Sequence, residues 1–398
     1  MSLPVLKLKK NEGRRIQSGH LWVYSNEIDT HVTPLSGFEP GQQVQMQDAG
    51  GKALGNAYIN PHSLICARLF SRDPGVLLDR SLIVHRLNIA LALRERLFDK
   101  PYYRLIYGEA DELPGLVVDR FGDVLAVQIT TAGMEEVKKE IVAALEKVLQ
   151  PVAIVLRNDA SMREMEGLTN YTETVSGKLP EQVFIQENST RFSVPVLDGQ
   201  KTGWFFDHRM NRARMQHYVS GQRVLDVFSY VGGWGVQAAQ AGASEVVCVD
   251  SSASALLQVQ SNAALNGVDK KVTAIEGDAF EVLRQLRDHR QRFDVVIVDP
   301  PAFIKRKKDI ASGTEAYRRI NQLAMRLLER DGILISASCS HHMEAQRLLG
   351  LLQKNARHVD RSMQLLEQGH QGPDHPIHPA IPETAYIKCY TMRVLPAR

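Results

Sequence analysis

RVLDVFSYVGGWG (Arg223–Gly235) begins as an apolar run and ends among glycines, the pattern of a strand that delivers the chain into a turn opening a helix. The same alternation continues on its C-terminal side. EVVCVD, KVTAIEGD, FDVVIVDPP and GILISASCS read as strands, and GGWGVQAAQAG, SASALLQVQSNAALNG, AFEVLRQLRDH and AYRRINQLAMRLL read as helices. Repetition of this kind predicts βαβ units and a mostly parallel, Rossmann-like α/β sheet from about residue 186 onward. Continuous apolar runs such as VVIV imply strands covered on both faces. Ligands of such sheets lie beyond the carboxyl ends of the strands, so the residues that follow each run are the candidates for a site.

Those residues form an ordered set: Asp226 with Phe228, Ser229 and Gly232, then Asp250, then Asp278, then Asp299 in Asp-Pro-Pro. A glycine turn lets the backbone approach a ligand, and an acid ending the second strand is placed for ribose hydroxyls. Asp278 is placed to meet an adenine amine. The GxxGGWG spacing is not the GxGxxG that cradles pyrophosphate, and the fourth strand ends in Asp299-Pro300-Pro301. S-adenosylmethionine, a nucleoside cofactor without phosphate, suits such a turn. The plainer alternative is that the glycines shape a turn and the acids cap helices.

The set VLDVFSYVGGWG, VDSS, GDAF and VDPPAF resembles class I methyltransferases, and GQKTGWFFDHRMNR (Gly199–Arg212) with SASCSHH (Ser336–His342) resembles one bacterial group within them, the RlmI-type 5-methylcytosine methyltransferases of 23S ribosomal RNA. The resemblance runs the length of the chain. It implies a PUA-like RNA-binding β-barrel domain over 1–75, a small α/β domain over 76–185 and a catalytic domain over 186–398. It also implies that Lys201, Thr202, Gly203, Asp207 and Arg209 border the cofactor pocket. Without the resemblance this segment reads as a β-hairpin and helix cap.

Pyrimidine C5 is too weak a nucleophile to attack a sulfonium unaided, and a thiolate that first adds to C6 solves the problem. Cys339, directly after the GILISAS run, is the candidate, with His341 and His342 near enough in sequence to favour its ionised form. Cys66, Cys248 and Cys389 read as core filler. They are far apart and form no CxxC pair, so neither a disulfide framework nor a metal site is expected. The second cysteine that many RNA cytosine-5 enzymes carry after proline in this turn is missing, which leaves the C5 proton acceptor open. Asp299, expected near the transferred methyl, is the candidate, and hydrogen-bonding the turn is its equal alternative. Asp299-Pro-Pro-Ala-Phe303 also approaches the turn that holds exocyclic amines, which leaves amine methylation as an alternative. A non-catalytic RNA-binding assembly factor is the third reading.

At 398 residues, 44% hydrophobic and 23% charged, the chain predicts more than one globular domain. A net charge of +3 is too small to identify a polyanionic partner, so clusters must carry that argument. One comprises Lys7, Lys9, Lys10, Arg14 and Arg15 beside Trp22, with Glu12 alone opposing them, in a segment of short strands between Gly and Pro turns. The other is Lys305, Arg306, Lys307 and Lys308, just past the Asp-Pro-Pro turn, with Arg318 and Arg319 beyond. Both suit RNA phosphates. No signal peptide or membrane-spanning run is read, so a cytosolic protein without a membrane partner is expected. The oligomeric state is silent, and a homodimer is left open.

Overall fold

The structure is a computed structural model that describes residues 3–397. The chain divides into two compact units: Met1–Val183 with Val194–Phe206 and Pro373–Thr384, and Phe184–Ser193 with Asp207–Gly372 and Ala385–Arg398. Among the described residues no helix is long and apolar enough to cross a membrane.

The first unit holds two sheets. In one, β1 (Val5–Lys7), β2 (Trp22–Val23), β3 (Gln43–Gln47), β4 (Ala53–Ile59) and β5 (Ala67–Ser71) lie in the order β1-β3-β4-β5-β2, with α1 (Gly13–Gln17) between the first two strands in sequence. QVQMQ alternates between buried and half-buried positions as its period of two requires, and β5 is buried throughout. Asp79 then caps α2 (Arg80–Leu97) by accepting the Leu82 N–H at 2.9 Å. The second sheet comprises β6 (Tyr102–Tyr107), β7 (Leu116–Phe121), β8 (Val124–Ile129), β9 (Ala153–Asn158) and β10 (Tyr171–Gly177), in the order β10-β9-β8-β7-β6. The hairpin read around Arg120-Phe-Gly-Asp123 forms, with Phe121 opposite Val124 and Gly122 in the left-handed region at φ 70°. Strands β8 and β9 are parallel, so the chain crosses between them through α3 (Ala132–Glu136) and α4 (Lys138–Leu149). A short α5 (Met162–Met165) precedes β10.

Both sheets contribute to one core. Tyr58 and Phe70 from the first pack with Leu105, Val118 and Leu125 from the second. Gly133 lies flat on the Tyr58 ring, where a Cβ would come within 2.0 Å of it. Segment 1–75 and segment 76–185 up to Val183 therefore fall in a single compact unit. Two pieces that the sequence groups with the C-terminal part also belong here, for identifiable reasons. Arg157 donates to the carbonyls of Val196 and Gly199, and the buried Asp374 carboxylate accepts the Arg104 N–H at 3.0 Å.

In the second unit a hairpin, β11 (Val183–Glu187) and β12 (Thr190–Val194), and α6 (Arg209–Met215) precede the large sheet. Its chain order is β13 (Arg223–Val227), α7 (Gly235–Gln240), β14 (Glu245–Asp250), α8 (Ala253–Leu265), β15 (Val272–Glu276), α9 (Ala279–Asp288), β16 (Phe293–Val298), α10 (Ile310–Leu327), β17 (Leu328–Ser338), α11 (Ala345–His358), β18 (Arg361–Gly369) and β19 (Lys388–Pro396). The strands are ordered β15-β14-β13-β16-β17-β19-β18, the first five parallel and β19 antiparallel to both neighbours. Val295 to Val298 of β16 are each at most 1% exposed, worth about 1.5–3 kcal/mol of burial apiece, which fixes this strand in the sheet's centre. Helices α9, α10 and α11 share a core with the sheet through Leu283, Ile320 and Leu352. Chain order reverses between β13 and β16, and the carboxyl ends of the strands at such a switch point are where open α/β sheets bind their ligands.

Candidate active site

At the carboxyl end of β13 the chain leaves the sheet under strain. Phe228 (φ 66°) and Tyr230 (φ 49°) both occupy the left-handed region, which costs a non-glycine residue on the order of 1 kcal/mol or more. Backbone bonds hold the turn, since the N–H groups of Phe228 and Ser229 both donate to the Val249 carbonyl, at 2.9 and 3.0 Å. Asp250, ending β14, accepts the Tyr230 N–H at 2.8 Å and the Ser252 N–H at 3.0 Å. Asp226, fully buried, accepts the Gly235 N–H at 2.8 Å with one oxygen, and burial pushes its carboxyl up to about 7. Gly235 has no room for a side chain, because its Cβ would lie 2.4 Å from Cys248 Sγ. Asp278 caps α9 through the Glu281 N–H at 3.1 Å.

Past β16, Asp299 meets two side chains from other elements. Trp234 Nε1 donates to its Oδ2 at 3.0 Å, and His208 Nε2 pairs with its Oδ1 at 3.3 Å. Burial alone would raise the Asp299 carboxyl, but the His208 charge and the two hydrogen bonds outweigh it and hold the group below the usual carboxylate range. Burial alone would likewise lower His208, and Asp299 reverses that, leaving the imidazole raised. Asp207 accepts from the Tyr386 hydroxyl at 2.6 Å. Arg209 and Arg212 both pair with the buried Glu187, at 3.5 and 2.6 Å, and Gln237 donates to the same carboxylate at 2.9 Å.

Cys339 follows β17 at the same edge of the sheet, and its two serine neighbours decide which way it faces. Ser338 and Ser340, at most 1% exposed, both hydrogen-bond the buried Tyr317 hydroxyl at 2.9 Å, and the Ile304 N–H donates to Ser340 Oγ at 3.2 Å. With both flanking side chains turned inward, Cys339 is left partly exposed, with Sγ 3.9 Å from the Pro300 carbonyl. The other three thiols are buried. Burial pushes Cys66 up to about 12 and raises Cys248 and Cys389 strongly as well, as core filler requires.

The structure thus brings Asp226, Phe228, Ser229, Gly232, Asp250, Asp278, Asp299 and Cys339 to the carboxyl edge of one sheet. Lys201 and Thr202 lie in the first unit, where Thr202 donates to the buried Asp119 at 2.6 Å and Lys201 lies over the Phe205 ring at 4.4 Å. Lys305, Arg306, Lys307 and Lys308 are all exposed. In the N-terminal cluster Lys9, Lys10 and Arg14 are exposed, but Arg15 is engaged by Glu27 at 2.7 Å and Trp22 donates to Glu109 at 2.8 Å. The cluster is therefore opposed by Glu27 as well as Glu12, a pairing that only the fold makes. Sequence reasoning missed His208 and Trp234, although both sit inside stretches it had singled out, and missed Lys388 and Tyr386. Among the described residues no group of three or more His, Cys, Asp or Glu could hold a metal ion.

Two polar atoms at the β13 edge are buried without a partner among the described residues, Ser229 Oγ and Asp226 Oδ1. A polar ligand at the strand ends would supply a missing partner. They suit a nucleoside cofactor, as does the carboxylate of Asp250 at the end of the neighbouring strand. A family model described as an S-adenosylmethionine-dependent methyltransferase matches residues 112–391, and one for a PUA-like domain matches residues 6–72. The ribosomal RNA large subunit methyltransferase I of Erwinia tasmaniensis is 37% identical over 399 residues, covering 98% of this chain and 99% of the relative. Its namesake from Shewanella denitrificans is 37% identical over 396 residues, with the same coverage. A SAM-dependent methyltransferase from Streptococcus mutans shares the fold, with a TM-score of 0.83 at 21% identity over 98% of this chain and 100% of that one. A methyltransferase structure complexed with SAH gives a TM-score of 0.84 at the same identity and coverage. Matched almost end to end by such relatives, the chain belongs to the ribosomal RNA large subunit methyltransferase I family of S-adenosylmethionine-dependent methyltransferases.

Proposed function

We propose that this enzyme forms 5-methylcytosine in 23S ribosomal RNA through a covalent Cys339 adduct. The observation that carries the reading is the exposure of Cys339, alone among the four cysteines, at the strand edge that also bears the Asp-Pro-Pro turn. S-adenosylmethionine supplies a methyl group on a sulfonium sulfur. Asp250 would take the ribose hydroxyls, Asp278 the adenine amine and Ser229 a polar atom of the same molecule, with Gly232 keeping the turn close. Cys339 Sγ adds to C6, and the displaced C5–C6 electron pair makes C5 the nucleophile that would take the methyl group as the sulfonium S–CH3 bond breaks, its electrons staying on sulfur as a neutral thioether. A base then removes the C5 proton, and the returning pair expels the thiolate.

Asp299 is ionised at neutral pH, as a proton acceptor must be, although the partners that keep it ionised also make it a weak base. Those partners, Trp234 and His208, each engage one Asp299 oxygen and leave it a further lone pair. Arg209 and Asp207 support the pocket from α6 and the residues before it, and Lys201 and Thr202 remain cofactor-side candidates through the family resemblance. Lys305 to Lys308, with Lys9, Lys10 and Arg14, are proposed phosphate contacts. A relative named for ribosomal RNA is the ground for that substrate and for action in the cytoplasm.

The test is the product. Unmodified ribosomal RNA incubated with labelled cofactor and digested to nucleosides should carry its label in 5-methylcytidine, whereas label in an N-methylated base would overturn the reading.

A further inference from the structure

Cys339 lies between two residues that are both tied to one lysine. In the β17–β19 ladder Lys388 stands opposite Ser338, the residue before the cysteine. Its ammonium donates to the carbonyl of Ser340, the residue after, at 2.6 Å, and to the carbonyl of Tyr386 at 2.9 Å. An ammonium has three N–H groups, and these two carbonyls use two of them. Neither carbonyl carries a charge, and no carboxylate pairs with Lys388 among the described residues. A half-buried cation without a counter-ion is costly.

We propose that Lys388 is the positioning cation that holds Cys339 as a thiolate, the thiol proton leaving to solvent; this rests on the reading of Cys339 as the nucleophile. Burial brings Lys388 down to about 8, and Cys339 is the group that opposes the fall. The coupling acts both ways, so the ammonium favours the thiolate as much as the thiolate favours the ammonium. Around the pair stand Tyr317 from α10, Asp299 beside the Pro300 carbonyl after β16, Tyr386 ahead of β19, and His341 and His342 on the cysteine's own loop. Lys388 is the cation among them that reaches the loop from a neighbouring strand.

The experiment is the pH dependence of iodoacetamide alkylation of Cys339 in the intact chain, read by peptide mass. The other thiols are buried, which isolates the signal. Wild-type protein should alkylate with a midpoint below the ~8.5 of a free thiol. Lys388→Met should raise the midpoint by about one pH unit, leaving roughly tenfold less thiolate at neutral pH, and Lys388→Arg should keep it low. Should Lys388→Met not fold, Lys388→Gln makes the same comparison. A wild-type midpoint at or above that of a free thiol overturns the proposal. So does a substitution that slows alkylation equally at every pH, because a mere tether changes access and not ionisation. Alkylation needs no RNA, so its failure falls on Lys388, whereas absence of 5-methylcytidine from the RNA digest falls on the reaction.

Discussion

On the β14 side of the switch point the acids accept backbone N–H groups, none from more than twenty residues away, whereas on the β16 side the site groups are satisfied by side chains and carbonyls brought from a greater distance. Asp278 reaches three residues along the chain, Asp226 nine, and Asp250 two and twenty. By contrast, Trp234 meets Asp299 across 65 residues, Lys388 meets Ser340 across 48 and Tyr386 meets Asp207 across 179. The first arrangement shapes a pocket, since backbone donors fix where the loops run whatever side chains surround them. The second sets charge, because protonation states there depend on which partners arrive. In the proposed reaction, binding and chemistry would fall to different halves of one sheet edge.

The comparison breaks first at Cys339. Cys339→Ala should cost turnover on the order of 10⁴-fold or more, measured as methyl incorporation into ribosomal RNA, with cofactor affinity unchanged. Loss of cofactor binding in that variant would mean that the halves are not separate. Asp250→Ala probes the other half. Removing the acceptor of two N–H groups should weaken cofactor binding roughly ten- to a hundredfold, on the order of 1–3 kcal/mol by calorimetry, while turnover at saturating cofactor holds within a few-fold.

The smallest effect is a titration. His208, raised above its ordinary 6.5, contributes stability that is fully present below that value and is lost as pH rises through the raised one. Asp299, lowered from 3.8, contributes above that value and loses its share as pH falls through the lowered one. Ring chemical shifts should show His208 titrating above 6.5, and Asp299→Asn should bring it down, since burial, the largest influence, then acts against Asp207 without the Asp299 charge. A titration that ignores Asp299→Asn would dissolve the network side of the comparison.

Sequence separation also governs what could be read in advance. The parallel sheet, its strand-end acids and the lone outward thiol were legible, because apolar runs and the residues after them are adjacent in the chain. The turn around Gly122 was legible for the same reason. His208 escaped notice between Asp207 and Arg209, since nothing local marks a histidine whose partner is Asp299. Lys388 escaped because its meaning depends on the β17–β19 register. The sharing of one core by residues before and after 75 turned on the contact between Tyr58 and Gly133, invisible to periodicity.

The insertion of β19 between β17 and β18 constrains the order in which this sheet can be completed. Strand β18 precedes β19 in the chain yet lies beyond it in the sheet, so it has no native strand partner until β19 arrives. Until then the growing sheet ends at β17 with its N–H and C=O groups unpaired, an edge that another chain can template upon. Direct pairing of β17 with β18 would be a trap that excludes the strand carrying Lys388. Aggregation during synthesis or refolding should therefore be most sensitive to changes along β18 and the early part of β17.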